Sequence, residues 1–397
     1  GLALYNNSAF SGTFNSRETD ITSTYYGNSL TTQDQFFNIS HAGAVLVFDN
    51  TFNSEWSKFA LGFNYRITKD FNDSFLSQGN SGVATFTNFP LEDSTTPIDY
   101  NIADEQFFNT VYNGEISELN IAFSAVHLNK LYIGASFNTY DLNFSQRSTL
   151  TEFNNDGDGN VLDANFYQEN ITTGNGFSLN AGFIYKLDPS FRVGLSYQTP
   201  TWFTDIIEIT NITNNDGYFG DTEITVSNDN SIYNNTAGNF FPSQELIYKL
   251  KTPSKLTASA AFIIGRKGLI SIDYINKSYQ NIKLSNDNFV SENQFFQNDL
   301  KNTHSVNVGS EWRMDRFSIR GGYRFEQSPN KNTMNSDDLK GYSFGGGYNF
   351  GVTKIDISYS DNNRTGSYNF YPQFNNVNPT NLKQDNKTIT ATLTFSL

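Results

Sequence analysis

Phe177-Ser-Leu179-Asn-Ala181-Gly-Phe183-Ile-Tyr185, the turn Lys186-Leu-Asp188-Pro-Ser190, and Phe191-Arg-Val193-Gly-Leu195-Ser-Tyr197 are the stretch that decides the fold. Odd positions are apolar or aromatic, and even positions before the turn are small or polar apart from Ile184. A period of two puts one kind of side chain on each face of a strand, and Asp-Pro-Ser between two such runs is turn chemistry. The same alternation returns in Phe59–Tyr65, Leu119–Ala125, Leu131–Phe137, Val306–Trp312, Phe317–Phe325, Tyr342–Tyr348 and Ala391–Leu397. No segment carries a 3.6-residue period, so helices are expected only as short decorations of loops.

The connections alternate between two lengths. Short ones fall at Asp49–Glu55, Leu128–Lys130, Asp188–Ser190, Gly265–Gly268, Met314–Arg316 and Gly351–Lys354. Long polar ones fall at Arg17–Phe36, Lys69–Glu115, Gln146–Asn170, Asp205–Glu245, Ser285–Lys301, Ser328–Leu339 and Asp361–Asn386. Seven long and six short connections imply fourteen strands in one domain over residues 1–397, with both termini on the short-turn side. That is the layout of an all-β, up-and-down antiparallel transmembrane barrel of a bacterial outer membrane, with short periplasmic turns and long extracellular loops. A soluble sandwich would turn its oily faces inward, whereas the other face here is mostly Gly, Ser, Asn and Thr; a propeller would repeat every 40 to 50 residues or so. Tyr65, Tyr185, Tyr197, Tyr274, Tyr323, Tyr348 and Tyr359 stand near strand ends on the apolar register, as a headgroup girdle requires.

Composition agrees. The 397 residues hold 26 Lys+Arg against 40 Asp+Glu, a net charge of −14, no Cys and 59 Phe or Tyr among the aromatics (37 Phe, 22 Tyr). Without Cys there are no disulfides, thiolate metal sites or Cys nucleophiles. The acidic balance argues against a nucleic-acid partner. No run approaches 18 apolar residues, which excludes membrane helices. A mean hydropathy of −0.49 is what alternating strands average to. The N-terminus lacks a charged start and apolar core, so any signal peptide is expected to have been removed already.

Several stretches resemble the FadL/TodX family of outer-membrane transporters for long-chain fatty acids and other hydrophobic compounds. They are Asn175–Pro189 with Phe191–Pro200; Leu250-Lys-Thr-Pro-Ser-Lys255 leading through Gly268–Tyr274 to Tyr279; and Arg320–Pro329 with Gly341–Tyr348. The resemblance spans most of the barrel and implies fourteen strands. It also implies an N-terminal lumenal plug; Gly1-Leu-Ala-Leu-Tyr5 resembles what directly follows that plug, so the plug itself is missing here. The implied function is passive, plug-gated diffusion of a hydrophobic, fatty-acid-like small molecule through the outer membrane, with no enzymatic activity and no cofactor required. The alternative is a FadL-like barrel serving as a subunit of a larger outer-membrane secretion or assembly complex. Partners would be outer-membrane lipid, the hydrophobic ligand and, in the alternative, other outer-membrane proteins. Family gating uses a kinked strand opening sideways into lipid, and no kink stands out in the sequence.

Three further patterns bear on chemistry. Asn154, Asp156, Asp158, Asn160 and Asn165, with Gly159 at the sixth position, have the spacing of a calcium loop, though Asn165 replaces the bidentate Glu; the other reading is a solvated turn. Arg66, Arg192, Asp273, Glu311, Arg320, Arg324, Glu326 and Asp356 fall on the polar register, where they either brace the wall as a salt-bridge ladder or hold a ligand carboxylate. His41, His127 and His304 are scattered and show no catalytic spacing. Aromatics in long loops (Phe71–Phe75, Phe86–Phe89, Phe107-Phe108, Tyr218-Phe219, Phe240-Phe241, Phe295-Phe296 and Phe370-Tyr371) either cap the barrel, line a capture groove or meet a partner protein.

Overall fold

A computed structural model describes residues 2–49, 55–85, 100–214, 243–334, 336–372 and 374–397. The strands are β1 (Ala9–Tyr25), β2 (Asn28–Asp49), β3 (Trp56–Asp70), β4 (Asp73–Gly79), β5 (Ile102–His127), β6 (Leu131–Asn155), β7 (Val161–Lys186), β8 (Phe191–Gln198) and β9 (Trp202–Asn214). They continue as β10 (Ser243–Lys251), β11 (Lys255–Ile264), β12 (Gly268–Lys277), β13 (Lys283–Ser285), β14 (Thr303–Met314), β15 (Phe317–Glu326), β16 (Leu339–Asn349), β17 (Thr353–Tyr368) and β18 (Thr380–Ser396). Among the described residues one α-helix, α1 (Val290–Asn298), lies between β13 and β14.

Fourteen strands build the wall, because four of them come in two pieces. β7 pairs β8 over Asn180–Lys186 and β9 over Phe166–Phe177, so β8 and β9 are one wall strand. β10 and β11 are another, as are β12 and β13, and β3 and β4. Two of the breaks fall at Pro200 and Pro253, which have no N–H for the ladder. Thr201 and Thr252 rejoin the breaks: Thr201 N donates to Thr252 Oγ1 at 2.9 Å and Thr252 N to Thr201 O at 3.0 Å. β1 pairs β18 from Ala9↔Ser396 to Thr24↔Asn381, which closes the sheet into a barrel.

The alternation read from the sequence sets which face is which. On β5, Leu119, Ile121 and Phe123 are 46–50 % exposed on the outside, while Glu118 and Ser124 are buried inside. Outward Phe137, Leu179, Leu195, Ile272, Ile319 and Phe344 carry this apolar belt around the wall. So large a continuous oily surface is stable only against hydrocarbon. Leu128–Asn129 forms a tight turn with positive φ at both residues, which matches the twist of its flanking strands.

The long connections are shorter than their composition suggests. Most of Arg17–Phe36 is strand, joined by the two-residue turn Tyr26-Gly27 with φ of 43° and 90°. Most of Gln146–Asn170 is likewise strand, turning only at residues 156–160, and Asp361–Asn386 is strand outside residues 369–379. Thr-rich polar segments keep good β propensity, and once above the hydrocarbon nothing requires them to alternate. β5 and β7 therefore run to 26 residues, while β15 has 10.

Because the belt faces outward, folding should require an amphiphile. Diluted from denaturant into plain buffer the chain should aggregate; diluted into detergent micelles it should regain β circular dichroism and a heat-modifiable gel mobility.

Candidate functional site

Toward the outer end of the lumen, the long strands enclose a core of their own. Ile21, Tyr25, Phe75, Tyr100, Phe108, Leu150, Leu162, Tyr371 and Val377 are buried together there. Phe108 and Phe370 stack with centroids 4.8 Å apart. The cap is held by Glu152, fully buried, which accepts from Thr85 N and Oγ1, from Asn154 Nδ2 at 3.0 Å and from Tyr371 Oη at 3.0 Å. Burial and the Glu152 charge together hold the Tyr371 hydroxyl well above the usual phenol range. Tyr25 Oη donates to Gln106 Oε1 at 3.0 Å, and Gln106 Nε2 to Val83 O at 2.9 Å. Of the loop aromatics, Phe75, Phe108, Phe370 and Tyr371 thus pack on one another as a cap; Phe295 is exposed on α1. Phe86–Phe89, Tyr218-Phe219 and Phe240-Phe241 lie outside the described residues.

Beneath the cap is a second apolar layer of Tyr140, Leu142, Phe203 and Ile206, with Phe71, Ile116, Phe144, Tyr248 and Leu250 against it. Phe71 reaches this layer because wall strand three is kinked. β2 and β3 pair only from Asp49↔Lys58 to His41↔Arg66; β4 then pairs with β5. Residues 28–40 of β2 consequently have a ladder on the β1 side alone among the described pairings. Side chains fill the seam: Arg17 pairs with Asp70 at 3.2 Å and Asp73 at 3.0 Å, Asn38 Nδ2 donates to Asp70 at 3.3 Å, and Ser74 N and Oγ donate to Asp34 at 2.7 Å. Gly114 makes the kink possible. Its φ is +113°, it accepts from Phe71 N at 2.9 Å, and a Cβ there would come 2.1 Å from Asn143 O.

The inward charges form the expected ladder for the most part. Arg66 pairs with Glu118 at 3.0 Å, Arg320 with Glu311 at 2.7 Å and Asp356 at 2.6 Å, and Glu326 with both Lys277 and Arg324. Arg192 and Asp273 make no ion pair among the described residues, and neither does Lys255, a lumenal lysine the sequence reading passed over. Arg192 Nε is buried without a partner. Arg192 and Lys255 line a cavity of about 700 Å³ toward the short-turn end, with Ser136, Asn180 and Gln198 on its wall and Leu2 and Leu4 standing in it. Gln198 Nε2 donates to Tyr140 Oη at 3.2 Å, which ties this cavity to the apolar layer above it.

The five residues with calcium-loop spacing do not converge. Asn154 faces the buried cap beside Glu152, whereas Asn165 lies across from Thr151, three residues along the hairpin, and accepts from its hydroxyl at 2.6 Å. Asp156 is spent on the turn, accepting from Asp158 N at 2.8 Å, Asn160 N at 3.0 Å and the Asn160 side chain, which holds its carboxyl below the usual range. The segment is a hydrogen-bonded hairpin end. The histidines stay apart on β2, β5 and β14; His127 lies 3.9 Å from Glu55 and His304 bonds the Tyr274 hydroxyl.

No family model matches the sequence, and no curated protein matches it. Solved structures match in fold. A FadL homologue of Pseudomonas aeruginosa aligns over 100 % of this chain and 91 % of its own at 13 % identity, with a TM-score of 0.62. The CymD monoaromatic hydrocarbon channel aligns over 100 % and 90 % at 12 % identity and 0.54. The P. putida toluene transporter TodX aligns over 100 % and 91 % at 12 % identity and 0.54. The chain has the fold of FadL-type outer-membrane barrels.

Two outcomes follow from this geometry. Glu152→Leu removes the shared acceptor of four buried donors, at ~1 kcal/mol each; the barrel should stay folded in detergent, while planar-bilayer recordings show raised conductance from a loosened cap. Adding millimolar calcium after chelation should move the melting temperature by less than about 1 °C, because Asp156 already serves as the turn's acceptor.

Proposed function

We propose that this barrel moves hydrophobic small molecules passively across the outer membrane, and that its preferred ligand is an amphipath with one anionic head, of the fatty-acid kind. The observation that carries the reading is the order of layers in the lumen. The dry aromatic layer around Tyr140 and Phe203 lies next to a cavity lined by Lys255 and Arg192, neither of which forms an ion pair among the described residues, with Arg266 at its turn end. An acyl chain fits the first, and a carboxylate offsets the cost of an uncompensated ammonium in the second. A purely neutral cargo, such as the hydrocarbons named for the structural neighbours, gives Lys255 no partner.

The seam between β2 and the kinked strand is the side exit of this reading, since the ladder there is replaced by side chains that can exchange partners. Entry is controlled at the cap. Gating by an N-terminal plug rests on the family resemblance alone; the residues of this chain inside the lumen at that end are Leu2 and Leu4, with Leu2 packed on Gly62. Movement down a gradient needs no energy source or cofactor.

The test is binding in detergent by a fatty acid and by the alcohol of equal chain length. A charge-assisted hydrogen bond is worth about 1.5–3 kcal/mol, so Lys255→Met should weaken the fatty acid roughly ten- to hundredfold and leave the alcohol unchanged. Equal binding of both ligands by wild type and variant would show that the head is not recognised. Binding of neither would overturn the transport reading.

A further inference from the structure

One cross-strand row on the outer wall carries an excess of positive charge that the fold balances only in part. Phe177 of β7 is opposite Trp202 of β9, Trp202 is opposite Lys251 of β10, and Lys251 is opposite Lys283 of β13. Directly opposed residues share a face. Phe177 is on the lipid side, so all four are. Lys249 follows on the same face, two residues toward the outer end. Below the row the outward residues are apolar, with Leu256 and Phe262 on β11 and Ile270, Ile272 and Tyr274 on β12. The lysines therefore interrupt the outward apolar face near its outer edge, toward the headgroups of the outer leaflet, with Ile207 and Ile247 exposed just beyond them.

Like charges directly opposite on neighbouring strands are destabilising. Here Lys251 and Lys283 face each other with Lys249 beside them, in a chain whose acids outnumber its bases 40 to 26. None of the three makes an ion pair or side-chain hydrogen bond among the described residues. The acid nearest them is Asp205, in the bulge opposite Lys249, and Asp141 follows two strands further along that row; neither forms an ion pair among the described residues. The local balance of two positive charges matches a phosphate monoester, which carries about −1.5 to −2 at neutral pH. Trp202 and Phe177, with ring centroids 5.4 Å apart, continue the row into a lipid-side groove of about 430 Å³ lined by Phe177, Tyr65, Leu119 and Phe137 and, on its polar side, by Thr139, Asp141 and Asn175. From the lysines to that groove is roughly 10 Å at ~4.8 Å per strand. Indole and phenyl rings at this depth suit the junction of sugar or glycerol with acyl chains.

We infer that Lys249, Lys251 and Lys283 form a binding site for the phosphate of an outer-leaflet lipid, whose acyl chains lie over Trp202 and along the groove beside Phe177. The site is on the barrel's exterior and is independent of what passes through the lumen. It gives that side of the wall a bound lipid as part of its native surface.

The experiment is native mass spectrometry of the full chain in detergent, titrated with diphosphoryl lipid A and, separately, with phosphatidylethanolamine. Wild type should take up one lipid A tightly and phosphatidylethanolamine only weakly. At ~1 kcal/mol per lysine near a membrane surface, Lys251→Gln with Lys283→Gln should weaken lipid A about thirtyfold without changing phosphatidylethanolamine or heat-modifiable mobility. Lys251→Arg with Lys283→Arg should restore it, since both charges remain. Equal lipid A affinity in the Gln variant and wild type overturns the site. Displacement of lipid A by millimolar inorganic phosphate overturns it as a lipid site, leaving a simple phosphate site.

Discussion

Inside hydrocarbon there is no water to satisfy a peptide group, so every N–H and C=O of the membrane-crossing wall has to be answered by the chain itself. Pairing β1 with β18 meets that demand by removing both sheet edges. The rest of the architecture can be described by how it treats the exceptions. At Pro200 and Pro253 the ladder lapses, and Thr201 and Thr252 close the gap. Beside the kinked third strand it lapses over a longer stretch, and Arg17, Asn38 and Asp34 take the place of backbone partners. The first exception is small and self-contained. The second leaves a polar seam in an otherwise continuous wall, which is where the proposed side exit lies.

The lumen separates two kinds of cohesion. Toward the outer end it is dry and aromatic, and the buried Glu152 is tolerable only because four donors converge on it. Toward the inner end it is lined by ion pairs, Arg66 with Glu118 and Arg320 with Glu311 on neighbouring strands, and Arg320 with Asp356 across the intervening β16. Pairing is what makes those charges bearable away from bulk water. Lys255 and Arg192 depart from that rule, and the cavity lies where they do.

Strand count, orientation of the faces and the sense of the hairpins were legible because alternation is dictated by the bilayer residue by residue, as Leu119, Ile121 and Phe123 illustrate. Strand length was not. Above the headgroups both faces of Arg17–Tyr25 or Gln146–Asn155 are free to be polar, so composition there looks like loop although the ladder continues. The kink was hidden for a different reason: it depends on Gly114 lying against Phe71, far apart in sequence, and only pairing brings them together. The Asp156 segment shows a converse ambiguity. The same Asp and Asn spacing that encloses a cation also ends a hairpin, and only the direction of Asn154 and Asn165 tells the two apart. Lys255 went unnoticed because it sits directly after the Pro253 break, where the register of the alternation resets.

The unequal strand lengths give the mouth of the barrel a slope. β5 exceeds β15 by 16 residues, or roughly 50 Å along the strand and about 40 Å of height at the usual ~40° tilt. One flank is a parapet and the other a low sill close to the headgroups. A molecule already dissolved among the lipids, or a neighbouring protein in the same plane, reaches the sill without climbing, while a bulky solute arriving from above is turned aside by the parapet.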